Sequence, residues 1–569
     1  MATNPMTWPA AAASRIRIKF SNDVYCRLFY NSSTGSINLV PLTADDLSAI
    51  TTTPHAEIYD HSQTSNPEED PLYQSYLSQS KDDTKHIVDS FHPNDVIGAN
   101  LSLEYNFHNP NTFHGMESYA SAKINIYCYP KSNNRRKKRR EANHKSYTVD
   151  STCCEDFSDV RALVHSIRTL SGLQNYNHQS NATDNYYNAP PQRFLVILNP
   201  YSGGNGPKSK SGALHVYEMM VKPMLEQAGV EHDSLATTHG GHAKERMGSK
   251  RQSNNSDNAA SNGNGKKGGS NDCDESEWRD IAEYDAIIAM GGDGILFEIF
   301  QGLHAREDEE ELLSKLKFGI VPCGTCNGLA KSILHWSDKN ADCTPMESVF
   351  QICKGHTSRL DLASYQLAKT KKTYTSFLSF SWGLIADCDL ESECLRWLGA
   401  IRTDVWAVYR GILFPKKYRA RFSYLPCSKT DNNGSVSSAT VELPKVQEAL
   451  PKDWVTIKDD FSVFWVCNTT HASYNVFTCP MSKLNDGVFY VLIVRSSVSR
   501  LRLLQMLLKL ETGGHIDCTG LEVVSCLAYR LEPLSDNTYN DLDGELIEGG
   551  TIQASLFSTA NFFSGKLDT

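Results

Sequence analysis

The chain has 569 residues and a formal net charge of −10, with 40% hydrophobic and 21% charged residues. This composition indicates a globular protein with apolar material for roughly three or four domains, and its acidic balance argues against a general nucleic-acid binder. The 16 cysteines follow no disulfide framework, the first residues show no secretory signal pattern, and no run of about 18 apolar residues occurs, so we expect a cytoplasmic protein with only peripheral membrane contact.

Residues 1–175 are predicted to form a small β-rich module. Short alternating segments, such as residues 16–20 and 122–127, predict half-buried strands, and residues 161–170 carry a helical pattern. Strands closed by one amphipathic helix suggest a pleckstrin-homology-like regulatory or membrane module. The basic run from Arg135 to Arg140 fits three interpretations: a solvated loop, a contact with an anionic membrane surface, or a nuclear-import signal.

Three polar stretches are predicted to lie outside the packed cores. Residues 176–190 end in proline and indicate a linker. Residues 249–276 are rich in Asn, Ser, Gly and Lys and predict a disordered insertion, because nothing in them could offset the entropy of ordering. Residues 428–439 are predicted to be a surface loop.

Between residues 191 and 357, strands alternate with helical patterns, which predicts an α/β domain with a mostly parallel sheet. Three apolar strand patterns, at residues 194–198, 286–290 and 318–322, each run into a glycine-rich loop. Open α/β sheets bind ligands at the carboxyl ends of their strands, where backbone N–H groups can bind phosphate oxygens. A single loop of this kind, taken alone, indicates only an ordinary turn between a strand and a helix. Three in order predict a phosphate-binding site.

The last part of the chain, residues 358–569, is mostly strand-like. Strand patterns occur at residues 377–380, 461–466, 489–494 and 523–529. One strong helical pattern interrupts them at residues 499–510 and is ended by two glycines. This part of the chain is therefore predicted to be an antiparallel β region.

The three loops together resemble those of the lipid-kinase superfamily of the diacylglycerol-kinase catalytic type. Its marks are an Asn-Pro-x-Ser-Gly loop, a Gly-Gly-Asp-Gly loop and a Pro-x-Gly-Thr-x-Asn loop, and all three occur here in order. Neither a Walker Gly-Lys-Ser/Thr loop nor a Gly-x-Gly-x-x-Gly fingerprint is present in them. The resemblance implies an α/β nucleotide-binding domain followed by an antiparallel β-sandwich that binds lipid, an active site in the cleft between them, and ATP with Mg²⁺ as cofactors.

The second loop contains one ionisable side chain, Asp293. A carboxylate beside the acceptor hydroxyl is what phosphoryl transfer needs, so Asp293 is the predicted general base, and a helix cap is the alternative. Cys326 in the third loop stands where family members commonly have glycine. The predicted ATP contacts of the three loops are Asn199, Ser202, Gly203, Gly204, Gly292, Gly294, Gly324, Thr325 and Asn327.

The resemblance adds nucleotide contacts outside these loops. Thr237 stands where the family has a nucleotide-contacting threonine. Asp543, Gly544 and Glu545 match an Asp-Gly-Glu segment that the family places near the phosphates and Mg²⁺. Because Asp-Gly is also the usual dipeptide of a hairpin turn, both interpretations can hold at once.

Residues 382–393, followed by Arg396 and Arg402, are similar to the sphingosine-kinase signature Ala-Asp-x-Asp-Leu-Glu-Ser-Glu. Sphingosine carries a protonated amine beside the hydroxyl to be phosphorylated, and a buried ammonium needs a counter-charge. The resemblance assigns amine and hydroxyl contacts to Asp389, with Asp387 as its neighbour, and phosphate contacts to the two arginines. The alternative is an acidic surface cluster paired with arginines.

Supporting roles complete the predicted site. The orienting residues are Glu298 and Glu393. An apolar wall for the lipid tail, or else plain core, is predicted from Leu384, Ile385, Leu507 and Leu510.

These interpretations predict an ATP- and Mg²⁺-dependent lipid kinase that acts on sphingosine and related sphingoid bases. A ceramide kinase, a diacylglycerol kinase and an inactive lipid-binding scaffold are the alternatives. A basic and aromatic stretch around Trp406 and Phe414 has the character of calmodulin-binding segments, or of a helix packed on its own sheet. The expected partners are thus a sphingoid base and an anionic membrane surface, with calmodulin as a further candidate and no nucleic acid.

Overall fold

The computed structural model describes residues 18–19, 25–31, 36–41, 89–105, 119–132, 139–149, 158–173, 191–203, 212–250, 279–339, 341–392, 394–395, 401–427, 441, 443–446 and 448–565. The predicted linker at 176–190, the predicted loop at 428–439 and all but the first two residues of the predicted insertion at 249–276 lie outside these ranges. The chain divides into two compact units. The first comprises Met1–Pro191, Pro223–Val230 and Cys353–Gly355, and the second comprises Gln192–Lys222, Glu231–Ile352 and His356–Thr569.

The described part of the first unit contains an antiparallel sheet of seven strands and one long helix. Its helix packs Val160, Leu163 and Ile167 against apolar strand residues such as Ile124 and Ile126. The predicted strand and helix at residues 122–127 and 161–170 are confirmed, whereas the likeness to a pleckstrin-homology barrel stays a prediction. The elements are β1 (Ile18–Lys19), β2 (Tyr25–Asn31), β3 (Ser36–Pro41), β4 (Asp89–Phe91), β5 (Val96–Tyr105), β6 (Tyr119–Cys128), β7 (Lys145–Val149) and α1 (Ser158–Leu170).

The next part of the chain builds a parallel sheet. Its strands are β8 (Arg193–Leu198), β9 (Glu231–Ala236), β10 (Ala286–Gly291) and β11 (Lys317–Pro322), in the spatial order β11–β10–β8–β9. All three pairs are parallel, which confirms the predicted alternation of strands and helices. Strand β10 is buried along its whole length, as continuous apolar strands of parallel sheets are.

Helices separate these strands. The helices are α2 (Ala213–Val216), α3 (Lys222–Gln227), α4 (His242–Gly248), α5 (Asp293–His304), α6 (Glu309–Lys315), α7 (Gly328–Ser337) and α8 (Pro345–Lys354). A π-helical stretch, Tyr217–Val221, joins α2 and α3.

The remaining strands are antiparallel to one another and curl around an aromatic core. Strand β16 pairs with β14, β15 and β17, and strand β18 pairs with β15, β17 and β21. The core that they enclose includes Trp382, Phe422, Phe464 and Tyr529. The strands are β12 (Thr357–Leu367), β13 (Thr373–Ser376), β14 (Ser379–Gly383), β15 (Tyr418–Pro426), β16 (Val455–Cys467), β17 (Phe489–Arg495), β18 (Leu521–Pro533), β19 (Asn540–Leu542), β20 (Glu545–Ile547) and β21 (Ile552–Phe563).

Three further α-helices belong to this part of the described chain: α9 (Leu384–Glu391), α10 (Ile401–Val408) and α11 (Arg500–Leu508). Helix α11 confirms the pattern predicted at residues 499–510, with Ser499 as its N-cap. The strand predicted at residues 377–380 is instead interrupted at Phe377 and Leu378, between β13 and β14. No helix in the described ranges is long and apolar enough to cross a membrane.

The last strand joins the parallel and antiparallel regions. Strand β21 runs parallel to β11 through Phe318 and Phe562, and antiparallel to both β12 and β18. The boundary predicted between residues 357 and 358 therefore marks a change in strand direction within one continuous sheet. As a boundary between independent domains it stays a prediction.

Candidate active site

The three glycine loops follow strands β8, β10 and β11, which are neighbours in the sheet and end at the same edge. We call this edge, with residues 199–203, 291–294 and 323–328, the loop edge. Backbone hydrogen bonds tie the loops together: the Asn199 N–H donates to the Met290 carbonyl at 3.0 Å, and the Cys323 and Gly324 N–H groups both donate to the Gly291 carbonyl at 2.9 Å. The structure thus brings together the loops that the sequence predicted to cooperate.

Close backbone packing explains the glycines of the loop edge. A side-chain carbon at Gly324 would lie 2.5 Å from Cα of Gly292, and one at Gly294 would lie 2.6 Å from Oε1 of Glu545. The contact at Gly324 is with backbone, so the third loop requires glycine there, whereas the contact at Gly294 is with the end of a flexible side chain that can move. Glu545 is thereby placed directly against the Gly-Gly-Asp-Gly loop.

The first loop is folded by its own asparagine. Oδ1 of Asn199 accepts a hydrogen bond from the Tyr201 N–H at 3.0 Å, and the Ser202 N–H donates to the Asn199 carbonyl at 3.0 Å. Gly203 has a positive φ of 82°. Gly204 lies outside the described residues. The adjoining Thr237, at the end of β9, is buried and donates through its N–H to the Leu198 carbonyl at 2.8 Å.

The third loop is held by Asn327, which has a left-handed φ of 53°. Its side chain accepts from the Gly324 N–H at 3.2 Å and donates to the Gly324 carbonyl at 2.7 Å. Thr325 and Cys326 are exposed. Among the described non-glycine residues, positive φ values occur only at Asn327, Lys371, Asn537 and Asp543. The backbone at Cys326 therefore does not require the glycine that is common in the family.

Asp293 lies in the first turn of α5 and is 6% exposed. Its two carboxylate oxygens accept hydrogen bonds from the Gly328 and Leu329 N–H groups, at 2.8 and 3.2 Å, at the start of α7. Burial raises the pKa of Asp293 to about 6, although these hydrogen bonds lower it. The side chain thus caps α7, not its own helix, and this anchor fixes the position of a carboxylate that titrates near neutral pH.

The segment from Asp541 to Glu545 forms the predicted hairpin between β19 and β20. Asp543 and Gly544 are its turn residues, with φ values of 54° and 87°, as a type I′ turn requires. The Asp543 carboxylate accepts hydrogen bonds from the hydroxyl of Ser376 and from three successive backbone N–H groups, at 2.8 to 3.1 Å. These bonds occupy its oxygens, so the carboxylate supports the break between β13 and β14, and burial raises its pKa to about 7.

Helix α9 carries acidic side chains in two directions, since residues two apart on a helix point to nearly opposite sides. Asp387 is fully buried, and its Oδ2 accepts from Lys416 Nζ and from the Tyr418 hydroxyl, each at 2.7 Å. Burial raises the pKa of Asp387 although both partners lower it. On the other side, Oδ2 of Asp389 lies 3.8 Å from the position of a side-chain carbon at Gly544. The two aspartates therefore face opposite sides of α9, and Lys416 and Tyr418 are the partners of Asp387.

Glu391 extends the ion network of Asp387. It accepts from Lys416 Nζ at 3.3 Å, from Arg410 Nε at 2.6 Å and from Trp406 Nε1 at 3.0 Å. These partners lie in the stretch that the sequence left with two interpretations, a calmodulin-binding segment or a helix packed on its own sheet, and no local pattern linked them to Glu391. Their contacts with Glu391 support the second interpretation.

The four apolar residues predicted to contact the lipid tail lie in one cluster. Leu384 is buried in it, and Ile385, Leu507 and Leu510 pack against it partly buried. Trp465 of β16 is also a member. The structure thus brings together residues from α9 and from the end of α11 that are more than a hundred positions apart in the chain.

The other predicted site residues have different placements. Glu298 accepts from the Gly241 and Ala243 N–H groups at 2.9 and 3.1 Å and so fixes the start of α4 after Thr237. Glu393 and Arg396 lie outside the described residues. Arg402 belongs to α10, but its side chain is not described.

No group of three or more His, Cys, Asp or Glu side chains within the described ranges is arranged to hold a metal ion. Mg²⁺ in phosphoryl-transfer sites is usually held by one or two carboxylates together with substrate phosphates, and so needs no cage made by the protein alone. Glu545, placed against Gly294 at the loop edge, is a carboxylate suited to that arrangement.

Comparison with known proteins finds lipid kinases. Residues 193–365 match the diacylglycerol kinase catalytic domain. Sphingosine kinase 1 of Mus musculus is 31% identical over 383 residues, which cover 64% of this chain and 89% of the mouse protein. Sphingosine kinase 2 of Arabidopsis thaliana is 31% identical over 376 residues, covering 64% of this chain and 69% of the plant protein. A solved diacylglycerol kinase of Bacillus anthracis str. Sterne aligns at 16% identity with a TM-score of 0.39, over 66% of this chain and 97% of that one. By its identity to the mouse enzyme over most of that enzyme's length, the chain belongs to the sphingosine kinase family of lipid kinases.

Proposed function

We propose that this protein is an ATP- and Mg²⁺-dependent sphingosine kinase, which phosphorylates the primary hydroxyl of sphingosine and related sphingoid bases. The observation that carries the proposal is the placement of two acidic side chains around one hairpin. Asp293 lies at the loop edge beside Gly294, which faces Glu545, and Asp389 faces Gly544 of the same hairpin. A base for the hydroxyl and a counter-charge for the amine are thus supplied next to the phosphate loops.

In the proposed reaction the substrate hydroxyl oxygen attacks the γ-phosphorus of ATP. A new O–P bond forms, the bond from the γ-phosphorus to the ADP oxygen breaks, and the hydroxyl proton passes to the Asp293 carboxylate. The backbone N–H groups of the loop edge bind the phosphates, with Asn199, Ser202 and Thr237 shaping that edge. Mg²⁺, when bound with the nucleotide beside Glu545, supplies charge neutralisation at the phosphates.

The raised pKa of Asp293 suits this role. A general base works best when its pKa is close to the working pH, because it is then ionised and still basic enough to take a proton. The anchor to α7 keeps the carboxylate in one orientation before the substrate binds. Burial alone would push its pKa higher, and the two N–H donors offset part of that rise.

The amine of the substrate explains why an acidic residue, Asp389, lies beside the hairpin. Asp389 would face a protonated amine in a sphingoid base, whereas ceramide and diacylglycerol present no cation there. A carboxylate interacts more favourably with an ammonium group than with an uncharged head group. This environment therefore supports a sphingoid base over the two other lipids.

Exposed apolar side chains support the expected peripheral membrane contact. Val405, Val408, Leu413 and Phe414 are between 44% and 62% exposed, and Leu501 of α11 is 76% exposed. A lipid substrate has to leave a bilayer to reach the enzyme. Apolar side chains next to the helices that contribute to the tail cluster suit that transfer.

The test is transfer of labelled γ-phosphate from ATP-Mg²⁺ to sphingosine, ceramide and diacylglycerol in parallel. We expect sphingosine to be labelled most efficiently, and Asp293→Asn to lower kcat by about a thousandfold, the scale of general-base catalysis. Asp389→Asn should act mainly by raising KM for sphingosine. Labelling of ceramide or diacylglycerol in place of sphingosine would refute the substrate assignment, and labelling of no lipid would favour an inactive scaffold.

A further inference from the structure

A buried polar pair lies beside Asp389 and has no part in the reaction described above. Ser381 of β14 and Asp541 of β19 are direct partners across the two strands, and the Ser381 hydroxyl donates a 2.6 Å hydrogen bond to Oδ2 of Asp541. The adjacent strand residues Phe380, Trp382 and Leu542 point into the aromatic core. Because side chains alternate along a strand, Ser381 and Asp541 project from the opposite face, against which α9 packs.

Asp541 has an unsatisfied oxygen in the interior. The residue is 5% exposed, and its Oδ1 receives no hydrogen bond of normal geometry from any residue that the structure describes. Burial and the nearby carboxylates of Asp389 and Asp543 raise the pKa of Asp541, while the Ser381 hydroxyl and the Gly544 N–H lower it. A buried polar atom without a partner is unfavourable, so this oxygen calls for an explanation, and a ligand donor is one.

The hairpin that carries Asp541 lies close to Asp389. Oδ2 of Asp389 is 3.8 Å from the position of a side-chain carbon at Gly544, in the turn that follows Asp541. Across that hairpin, Leu546 pairs with Asp541 and is 60% exposed. Ser381 and Asp541 therefore lie near an edge of the sheet that is open on one side.

We propose that Asp541, held in place by Ser381, is a second acidic contact for the substrate head group and selects for a lipid with a free amine and an adjacent hydroxyl. This inference rests on the proposed function, in which Asp389 is the first contact. An ammonium group has three N–H donors, and two carboxyl groups can receive them together with the hydroxyl. An N-acylated lipid offers one uncharged amide N–H in place of the three ammonium donors.

The test compares wild type with Asp541→Ala, Asp541→Asn and Ser381→Ala, by measuring kcat and KM for sphingosine, KM for ATP, and kcat/KM for ceramide. We expect Asp541→Ala to raise KM for sphingosine by about tenfold or more, the scale of a hydrogen bond to a charged group. KM for ATP should stay within about twofold, and preference for sphingosine over ceramide should fall by about tenfold. Asp541→Asn keeps the shape of the side chain. It should raise KM for sphingosine, but not KM for ATP, by a smaller factor than Asp541→Ala.

Asp361→Asn is the matched control. Asp361 is also a buried acid of the second unit with a pKa raised to about 6, but its carboxylate accepts from the Gly487 backbone N–H at 2.8 Å. We expect this variant to leave KM for sphingosine unchanged. An unchanged KM in both Asp541 variants, or equal rises in KM for sphingosine and ATP, would overturn the inference while wild-type labelling of sphingosine upheld the proposed function. Wild-type protein that leaves sphingosine unlabelled would instead refute the proposed function itself.

Discussion

The loop edge and helix α9 reach their functional geometry in different ways. At the loop edge, backbone atoms set the positions: Gly292 and Gly324 touch, and Asp293 is anchored by backbone N–H groups. Around α9, the positions are set by side chains from distant parts of the chain, such as Lys416, which pairs with Asp387. A site built from backbone contacts tolerates little change in residue size. A site built from side-chain pairs should instead respond to changes in charge.

Gly324→Ala is the substitution that we expect to disrupt the loop edge most. The added carbon would lie 2.5 Å from Cα and 2.7 Å from N of Gly292, so the two loops must move apart. Displacing the phosphate site by about 1 Å can cost about a hundredfold, and we expect kcat/KM for sphingosine to fall by about that factor. Steady-state kinetics, alongside thermal unfolding, provides the measurement.

Gly240→Ala is the control for this change. No described atom lies within 4 Å of the carbon added at Gly240, and its φ is not in the left-handed range. We expect kinetics within about twofold of wild type, because nothing is displaced. Wild-type activity in Gly324→Ala would show that the two loops can separate without harm.

The difference between the two regions also decides what could be predicted from the sequence. The loop edge was found from three local strand-to-glycine patterns, and the structure places those strands side by side. The Asp543-Gly544 hairpin was equally visible because its turn chemistry is local. Such signals need only neighbouring residues, so they survive without knowledge of the tertiary fold.

Side-chain partners could not be found in this way. Asp387 was expected beside Asp389, but helix periodicity turns it toward Lys416 and Tyr418. The Asp543 carboxylate was expected near phosphate, yet it is used by Ser376 and the following backbone N–H groups. Partners so far apart in the chain are brought together by tertiary packing. A single sequence says little about which distant residues will be in contact.

The second prediction tests whether the Asp387 side of α9 is structural. Asp387 is fully buried, and Lys416, whose side chain is 35% exposed, supplies its counter-charge. Lys416→Met leaves a buried carboxylate with only the Tyr418 hydroxyl. We expect a loss of about 2 kcal/mol in the free energy of unfolding, reduced from the value for a fully buried pair because Lys416 is partly solvated. Urea denaturation measures this loss.

Two further variants sharpen that result. Lys417→Met removes the neighbouring exposed lysine and should change stability by less than about 0.5 kcal/mol. Combining Lys416→Met with Asp387→Asn removes both charges and should recover most of the lost stability. If Lys416→Met instead raised KM for sphingosine without loss of stability, Asp387 would belong to the substrate site after all.

The smallest expected effect is the pH dependence of the loop edge. Only the ionised Asp293 carboxylate can accept the substrate proton, and its pKa is raised to about 6, so kcat at saturating sphingosine should fall as the pH drops below that value, by about tenfold per unit. Asp543 titrates close by, with a pKa of about 7 that the Ser376 hydroxyl lowers. Ser376→Ala should therefore raise the pKa of Asp543 and leave that of Asp293 in place. An acidic limb that does not move in this variant belongs to the proposed base, whereas a limb that moves upward with Ser376→Ala would assign the titration to Asp543.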